Sequence, residues 1–402
     1  MRHSRFIRCT VATLSLGIAC SRAGTPAEQR AARAALGRGD IVVAVVWPWQ
    51  ARPDIFFREG LRLAVDETNG PGGAGVAGRR IRVREEDDRE SVNEGLLIAQ
   101  RIANDPEIIA VIGHLQSYVA VPAAAIYDMA GLVYISPTAT TAELTTKGYS
   151  RVFRTTFVDE QVGHQMAEYA ARHGYRRVGI YYLRSAYGRA LANAFEERAI
   201  THAVSIVARA SYEPGQLAGE NFDLTFQEWK QLDLDAVFVA GQAPEAGTLI
   251  AEARRDGILA PMLGSDAMGV PSLITAGGQA VEGTVIPVAF HPAARSASAE
   301  RFVRAFQARY GKEPDIGAAM AYDALTVLAQ AIRTASSPTP GEIARAMHAI
   351  RRWPGVLGEL TFDRNGDLVD PRILKTVIRG GRFEYLDDPV RVRAAGEPWG
   401  GR

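Results

Sequence analysis

Two short runs of small and hydroxylated residues stand out for the chemistry they could do: Gly113-His114-Leu115-Gln116-Ser117 and Ser136-Pro137-Thr138-Ala139-Thr140-Thr141. Each follows an apolar, β-branched stretch and leads toward a helical pattern. In an open α/β sheet, ligands lie beyond the carboxyl ends of strands, where the unpaired N–H groups of a helix start attract negative charge. The Ser117 hydroxyl and nearby amides could therefore receive a carboxylate, and the second run could share it. Taken singly, each run also reads as a helix cap, which uses the same residue types.

Other constellations offer less. His114 has no acid or nucleophile pattern beside it, and neither a nucleophile elbow nor a phosphate-binding lysine loop is present. Asp363-Arg364-Asn365-Gly366-Asp367 alternates like a calcium loop, but glycine falls at its fourth position and no Glu closes it at the twelfth. It reads as an Asn-Gly turn. No metal and no cofactor is expected. Glu85-Glu86-Asp87-Asp88 reads as a solvated strand end, with Asp88 or Ser91 capping the next helix.

The elements that must position these residues alternate in type. Ile41–Val46 is a continuous β-branched run, the pattern of a strand covered on both faces. Helical spacing follows over 54–69, then strand 81–83, helix 92–103, strand 108–112, helix 119–130 and strand 132–135. A second series begins after Arg154, with helices over 162–173, 190–200, 222–232 and 245–255 between strands at 178–183, 204–208, 236–240, 262–264 and 284–290. Strands alternating with helices of this length imply parallel sheets joined by right-handed crossovers. Long helical patterns at 300–310, 317–334 and 342–350 precede a hairpin, 374–379 and 382–386, turned by Gly380-Gly381.

At 402 residues the chain exceeds what one hydrophobic core supports. Two lobes are expected. The balance of 46 Lys+Arg against 45 Asp+Glu leaves no field to gather nucleic acid or adhere to an anionic membrane. The N-terminus places Arg2, Arg5 and Arg8 before a short apolar run from Val11 to Ala19, the layout of an export signal and too short to span a bilayer. Its two cysteines are Cys9, inside that signal, and Cys20, at its end, so the exported chain has no internal disulfide. Leu16-Gly17-Ile18-Ala19-Cys20 resembles a bacterial lipoprotein processing site, with leucine one position early, and implies a lipid anchor on Cys20.

Read together, several motifs carry a resemblance that none carries alone. Ile112-Gly113-His114-Leu115-Gln116-Ser117, Ile135-Ser136-Pro137-Thr138-Ala139-Thr140, Val152-Phe153-Arg154-Thr155, Ser185-Ala186-Tyr187-Gly188 and Tyr322-Asp323-Ala324 fall in an order and spacing similar to those of the leucine/isoleucine/valine-binding family of periplasmic receptors. The resemblance runs from Ile41 to about Leu386. It implies the type I periplasmic-binding-protein fold: two doubly wound, Rossmann-like lobes joined by three crossover segments, closing on a ligand by a hinge. It also implies domains: signal 1–20, tether 21–40, first lobe 41–154 plus 291–353, second lobe 155–290 plus 354–390, and tail 391–402. Linkers are expected at Arg154–Asp159, around Pro287–Pro292, and at Trp353–Gly358.

For the site, the resemblance implies that Ser117, Thr138, Ala139 and Thr140 hold an amino acid's carboxylate and ammonium from the first lobe. Tyr187 contacts the ligand from the second lobe and Asp266 pairs with the ammonium. A carboxylate opposite helix N-termini suits a zwitterion. The chain departs from the family at the side-chain wall: Trp47-Pro48-Trp49-Gln50 replaces a Gly-Pro-rich loop, Gln242 stands where an aromatic residue is usual, and Gly317 replaces a tyrosine. These changes point to a ligand bulkier or more polar than leucine. The expected partners are that ligand and the membrane permease of an ABC transporter. A sensor of the same fold feeding a signalling partner is the alternative, and an enzyme on this scaffold comes third, because fold alone does not select function.

Overall fold

The computed structural model describes residues 24–70, 75–213, 215, 222–294 and 296–386. The export signal and Cys20 lie outside them. Helix α1, Pro26–Ala35, comes first. The first lobe then builds β1 (Ile41–Val46), α2 (Phe57–Asn69), β2 (Ile81–Glu86), α3 (Val92–Asn104), β3 (Ile108–Gly113), α4 (Ser117–Met129), β4 (Val133–Ser136) and β5 (Val152–Arg154). Its parallel sheet has the order β2-β1-β3-β4-β5. Every residue of β1 and β3 is buried, as the unbroken apolar runs require of central strands, while edge strand β2 alternates with exposed arginines.

The second lobe adds α5 (Asp159–Arg172), β6 (Arg177–Leu183), α6 (Ala186–Thr201), β7 (Ser205–Tyr212), α7 (Phe222–Trp229), β8 (Ala236–Ala240), α8 (Glu245–Arg255), β9 (Met262–Leu263), α9 (Pro271–Gly277) and β10 (Val285–Val288). The chain goes on through α10 (Ala297–Tyr310), α11 (Ile316–Thr334), α12 (Pro340–Ala349), the small pair β11 (Trp353–Pro354) and β12 (Glu359–Leu360), and the hairpin β13 (Leu374–Arg379) and β14 (Arg382–Leu386). The second sheet runs β14-β13-β10-β9-β8-β6-β7, antiparallel only within the hairpin and where it joins β10. Apolar clusters fill both faces of each sheet. The type I periplasmic-binding-protein fold expected from sequence is the one observed.

Helix α11 spans the junction. Ala318–Met320 lie in the second lobe's core cluster, whereas Ala321–Ile332 contribute to the first lobe's. Its tight crossing on α2 requires Gly60, where an added Cβ would sit 2.1 Å from the Ala318 carbonyl oxygen. Helix α10, expected with the first lobe, bridges: Phe302 and Phe306 pack in the second lobe's cluster, while the Tyr310 hydroxyl donates to the Glu59 carbonyl of α2 at 3.0 Å.

Two domain expectations need correction. Within the supposed tether, Thr25 and Glu28 form a capping box, and α1 docks through buried Arg30, whose guanidinium donates to the carbonyls of Ile108, Ala130, Ala103 and Asp105 at 2.6–3.1 Å. An Ala/Arg-rich helix held by one polar anchor shows no apolar stripe, so periodicity could not reveal it. The third crossing is not confined to Trp353–Gly358. Val356 and Leu357 lie in the second lobe's cluster, but Leu360, Phe362 and Leu368, expected in the second lobe, lie in the first lobe's core, and the Gly366 carbonyl accepts from the Arg154 amide at 2.9 Å; with Ile373 the chain is again in the second lobe's cluster.

Candidate functional site

Two loops of the first lobe meet because of buried groups behind them. Helix α4 opens at Ser117, so its first amides have no intrahelical acceptor. The loop before it is fixed by His114, fully buried, whose Nδ1 lies 2.7 Å from the Asp88 carboxylate and whose Nε2 lies 3.0 Å from the Tyr127 hydroxyl. Ser91, one of the two residues expected to cap α3, accepts from the Glu94 amide. The second loop is gripped by Arg154, also fully buried, which donates to the carbonyls of Ala139 and Thr141 at 2.9 and 2.7 Å, to the Thr145 hydroxyl and to Asp367. The Thr138 hydroxyl lies 3.0 and 2.9 Å from the carbonyls of His114 and Leu115, tying one loop to the other. Asp363, within the Asn-Gly turn, accepts from the amides of Asn365 and Asp367, which places Asp367 against Arg154.

These loops form one wall of a cavity of about 120 Å³ between the lobes. Ser117, Thr138 and Thr140 line it from the first lobe, Tyr187, Gln242 and Asp266 from the second, and Trp47 closes one side. Ala139 is absent from the lining: its carbonyl faces Arg154 and its side chain is buried in the core cluster beneath α4. Because a hydroxyl has one proton, Thr138 spends its donor on the loop tie and keeps only acceptor capacity toward the cavity.

The second lobe's wall is acidic. Asp266 opens a short 3-10 turn after β9 and accepts from the Tyr187 hydroxyl at 2.8 Å. Burial pushes its carboxyl up to about 6, with the Tyr187 hydrogen bond opposing the shift. Burial, reinforced by the Asp266 charge, holds the Tyr187 phenol well above its ordinary value. A second carboxylate, Asp159 at the start of α5, lies outside the cavity lining and was not expected from sequence. It is buried, and neither of its oxygens has a hydrogen-bond partner in good geometry. Burial first, then the charge of Asp266, push it up to about 7, while the Thr140 hydroxyl nearby offsets part of that. In sequence Asp159 is an acid at a helix start, indistinguishable from a cap, and only the fold sets it beside Thr140.

The side-chain wall differs from expectation. Trp49 is not part of it; its indole donates to the Glu86 carbonyl at 3.0 Å beneath the Arg58 guanidinium. Trp47 stacks on Phe57 with centroids 3.8 Å apart and is almost wholly buried. Gly317 lines the cavity but opens no extra room, because Ile55 Cγ2 sits 2.1 Å from where its Cβ would be. Arg52 and Gln116, not singled out in sequence, add polar groups.

A family model described as periplasmic binding protein matches residues 49–373. The chain belongs to the periplasmic binding protein family. The Leu/Ile/Val-binding protein homolog 1 of Brucella abortus is 30% identical over 312 residues, 77% of this binding protein and 82% of that one. The leucine-, isoleucine-, valine-, threonine- and alanine-binding protein of Pseudomonas aeruginosa is 27% identical over a similar span, 77% of this chain and 82% of that one. Among solved structures, an ABC transporter substrate-binding protein from Desulfitobacterium hafniense in complex with Leu superposes with a TM-score of 0.77 at 36% identity, covering 86% of this binding protein and all of that chain. The family is one of substrate-binding proteins, and the constellation here suits that class: hydroxyls and a helix start on one side of the cavity face the Asp266 carboxylate on the other.

Proposed function

We propose that this chain is the extracytoplasmic receptor of an ABC transporter, binding an amino acid or a close amide relative between its lobes and delivering it to a membrane permease. The observation that carries this reading is the opposition, across one cavity, of the Ser117 helix start and Thr140 to the Asp266 carboxylate, with Asp159 buried beside Thr140 outside that lining. A zwitterion supplies what each side lacks. Its carboxylate takes the open amides of α4 and the Ser117 hydroxyl, and its ammonium takes Asp266, with the charge of Asp159 close enough to act on the same site.

The amino acids that the relatives bind, leucine among them, support the substrate class. Three chain passages between lobes allow rotation about few residues while each core stays packed, so binding closes the hinge. The Arg-rich start and the residues before Cys20 support export and a lipid anchor at that cysteine, with the folded lobes outside the cytoplasmic membrane. Calorimetry with the twenty amino acids and their deaminated analogues tests the head-group assignment. Tight binding of a ligand without an amino group, or equal affinities of wild type and Asp266→Ala, would sink it. For the anchor, mass spectrometry should find an acylated Cys20 at the mature N-terminus; a mature protein retaining residues 1–19 would refute it.

A further inference from the structure

Beyond the head-group residues, the cavity wall is of two kinds. Ile55, Val270, Ile316 and Met320 are apolar, whereas Arg52, Gln116 and Gln242 are not. Arg52 lies on the first lobe, between β1 and α2. Its Nε and Nη2 both meet the Glu90 carboxylate, and its Nη1 reaches across the cleft to the Ala243 carbonyl of the second lobe at 3.0 Å. Glu90 is further held by the Gln116 amide at 3.1 Å. The Arg52 side chain is only 13% exposed. Of the five guanidinium N–H groups, these contacts use three and leave two for the cavity. The Gln242 carboxamide makes no hydrogen bond among the described residues, and it lines the same space.

An aliphatic ligand side chain laid against this wall would strip water from those N–H groups without replacing it, and sites built to hydrogen-bond a ligand reject the analogue that lacks the partner. A carboxylate side chain fits poorly for a different reason. Glu90 already neutralises Arg52, and Glu245 and Asp54 lie close enough to act on the same guanidinium, so three acids surround one base. What remains is an uncharged group that both accepts and donates.

Building on the amino-acid reading above, we infer that Arg52 and Gln242 read a side-chain carboxamide: its oxygen accepts from Arg52, its NH2 donates to Gln242, and its methylene stem packs on Ile55, Val270, Ile316 and Met320. The preferred ligand class is then the ω-amide amino acids. This departs from the ligands named for the relatives above, none of which carries a side-chain amide.

Titration calorimetry of the purified protein with L-glutamine, L-asparagine, L-glutamate, L-leucine and L-lysine tests it. One of the two amides should bind at least tenfold more tightly than leucine, glutamate or lysine. Arg52→Met, and independently Gln242→Leu should the first variant fail to fold, should each lower the ratio of amide to leucine affinity at least tenfold. Leucine, glutamate or lysine as the tightest ligand overturns the inference, as does an equal loss for all ligands on substitution, which would make Arg52 a tie between lobes and nothing more. Those outcomes leave the head-group assignment standing if Asp266→Ala still weakens every ligand. Absence of binding by any amino acid overturns both.

Discussion

The first lobe's head-group loops are held by groups already paired within the protein, whereas the second lobe's side presents a carboxylate, Asp266, that has no cation beside it among the described residues. On the first side, Arg154 satisfies two carbonyls, a hydroxyl and Asp367, Thr138 ties one loop to the other, and the His114–Asp88 pair fixes the approach to Ser117. On the second, Asp266 has one hydroxyl donor and Asp159 has bare oxygens, and burial raises both carboxyls. The contrast assigns different work to the two sides. On the proposed assignment, the first side, its loops tied by hydrogen bonds, takes the ligand carboxylate, and the second takes the ligand cation and so couples occupancy to closure.

The largest break in this contrast comes from removing the first lobe's buried clamp. Arg154→Met leaves the Asp367 carboxylate and two carbonyls without their donor, which should lower unfolding stability by about 3–5 kcal/mol. Urea denaturation should show a lower midpoint with an unchanged slope. On the other wall the sign reverses. Asp266→Ala should leave ligand-free stability equal or higher, because the charge it removes is one that burial opposes, yet it should weaken ligand binding by about 2–5 kcal/mol. A ligand-free Asp266→Ala protein destabilised as much as Arg154→Met would erase the distinction between the sides.

Acidity sharpens the same point. Carboxyls raised to about 6 and about 7 from an ordinary 3.8 stay protonated in the folded chain where the unfolded chain has released the proton. The folded state binds more protons in that window, so the contribution of these two groups to ligand-free stability is greatest below pH 3.8 and is lost as pH rises through about 6 to 7. Binding of an ammonium selects the ionised forms and runs the other way. Affinity should rise with pH and level off above about 7, falling roughly tenfold per pH unit for each proton that must leave below that. Asp159→Asn should flatten one part of this profile. A pH-independent Kd between 5 and 8 in the wild type would show that neither carboxylate meets a cation.

Much of the frame was legible in sequence. Ile41 to Val46, Ile108 to Ile112 and the Gly380-Gly381 hairpin announce strands because a central parallel strand is apolar on both faces and a tight turn needs glycine. Ser117, Tyr187 and Asp266 were placed by motif order, and they line one cavity. What could not be read has a common cause: it depends on partners far along the chain. Asp159 becomes more than a helix start only beside Thr140 and Asp266. Arg52 gains its role from Glu90 and Ala243, residues 38 and 191 positions away. Gly317 looked like added space, but the fold fills it with Ile55. Trp49 looked like a wall and turned outward to Glu86 and Arg58. Helix α1 left its trace in Thr25-Pro26-Ala27-Glu28, a capping box with proline at the first turn, rather than in any apolar stripe.

The smallest effect tests the neutral wall alone. Ser117 sits at the start of α4 with its side chain nearly buried at the cavity face, and it shares the ligand carboxylate with backbone amides that no substitution removes. Ser117→Ala therefore deletes one donor from a set, and the remaining amides and the helix start still attract the charge. The expected loss is about 0.5–1.5 kcal/mol of binding, the range for a single hydrogen bond exchanged against water, with unfolding stability unchanged because the hydroxyl supports no other group in the described structure. Calorimetry at about pH 8 isolates this term, since carboxyls raised to about 6 and about 7 are then largely ionised in both proteins. A loss as large as that of Asp266→Ala would mean that the hydroxyl meets the ammonium and not the carboxylate, and the two walls would have to exchange roles.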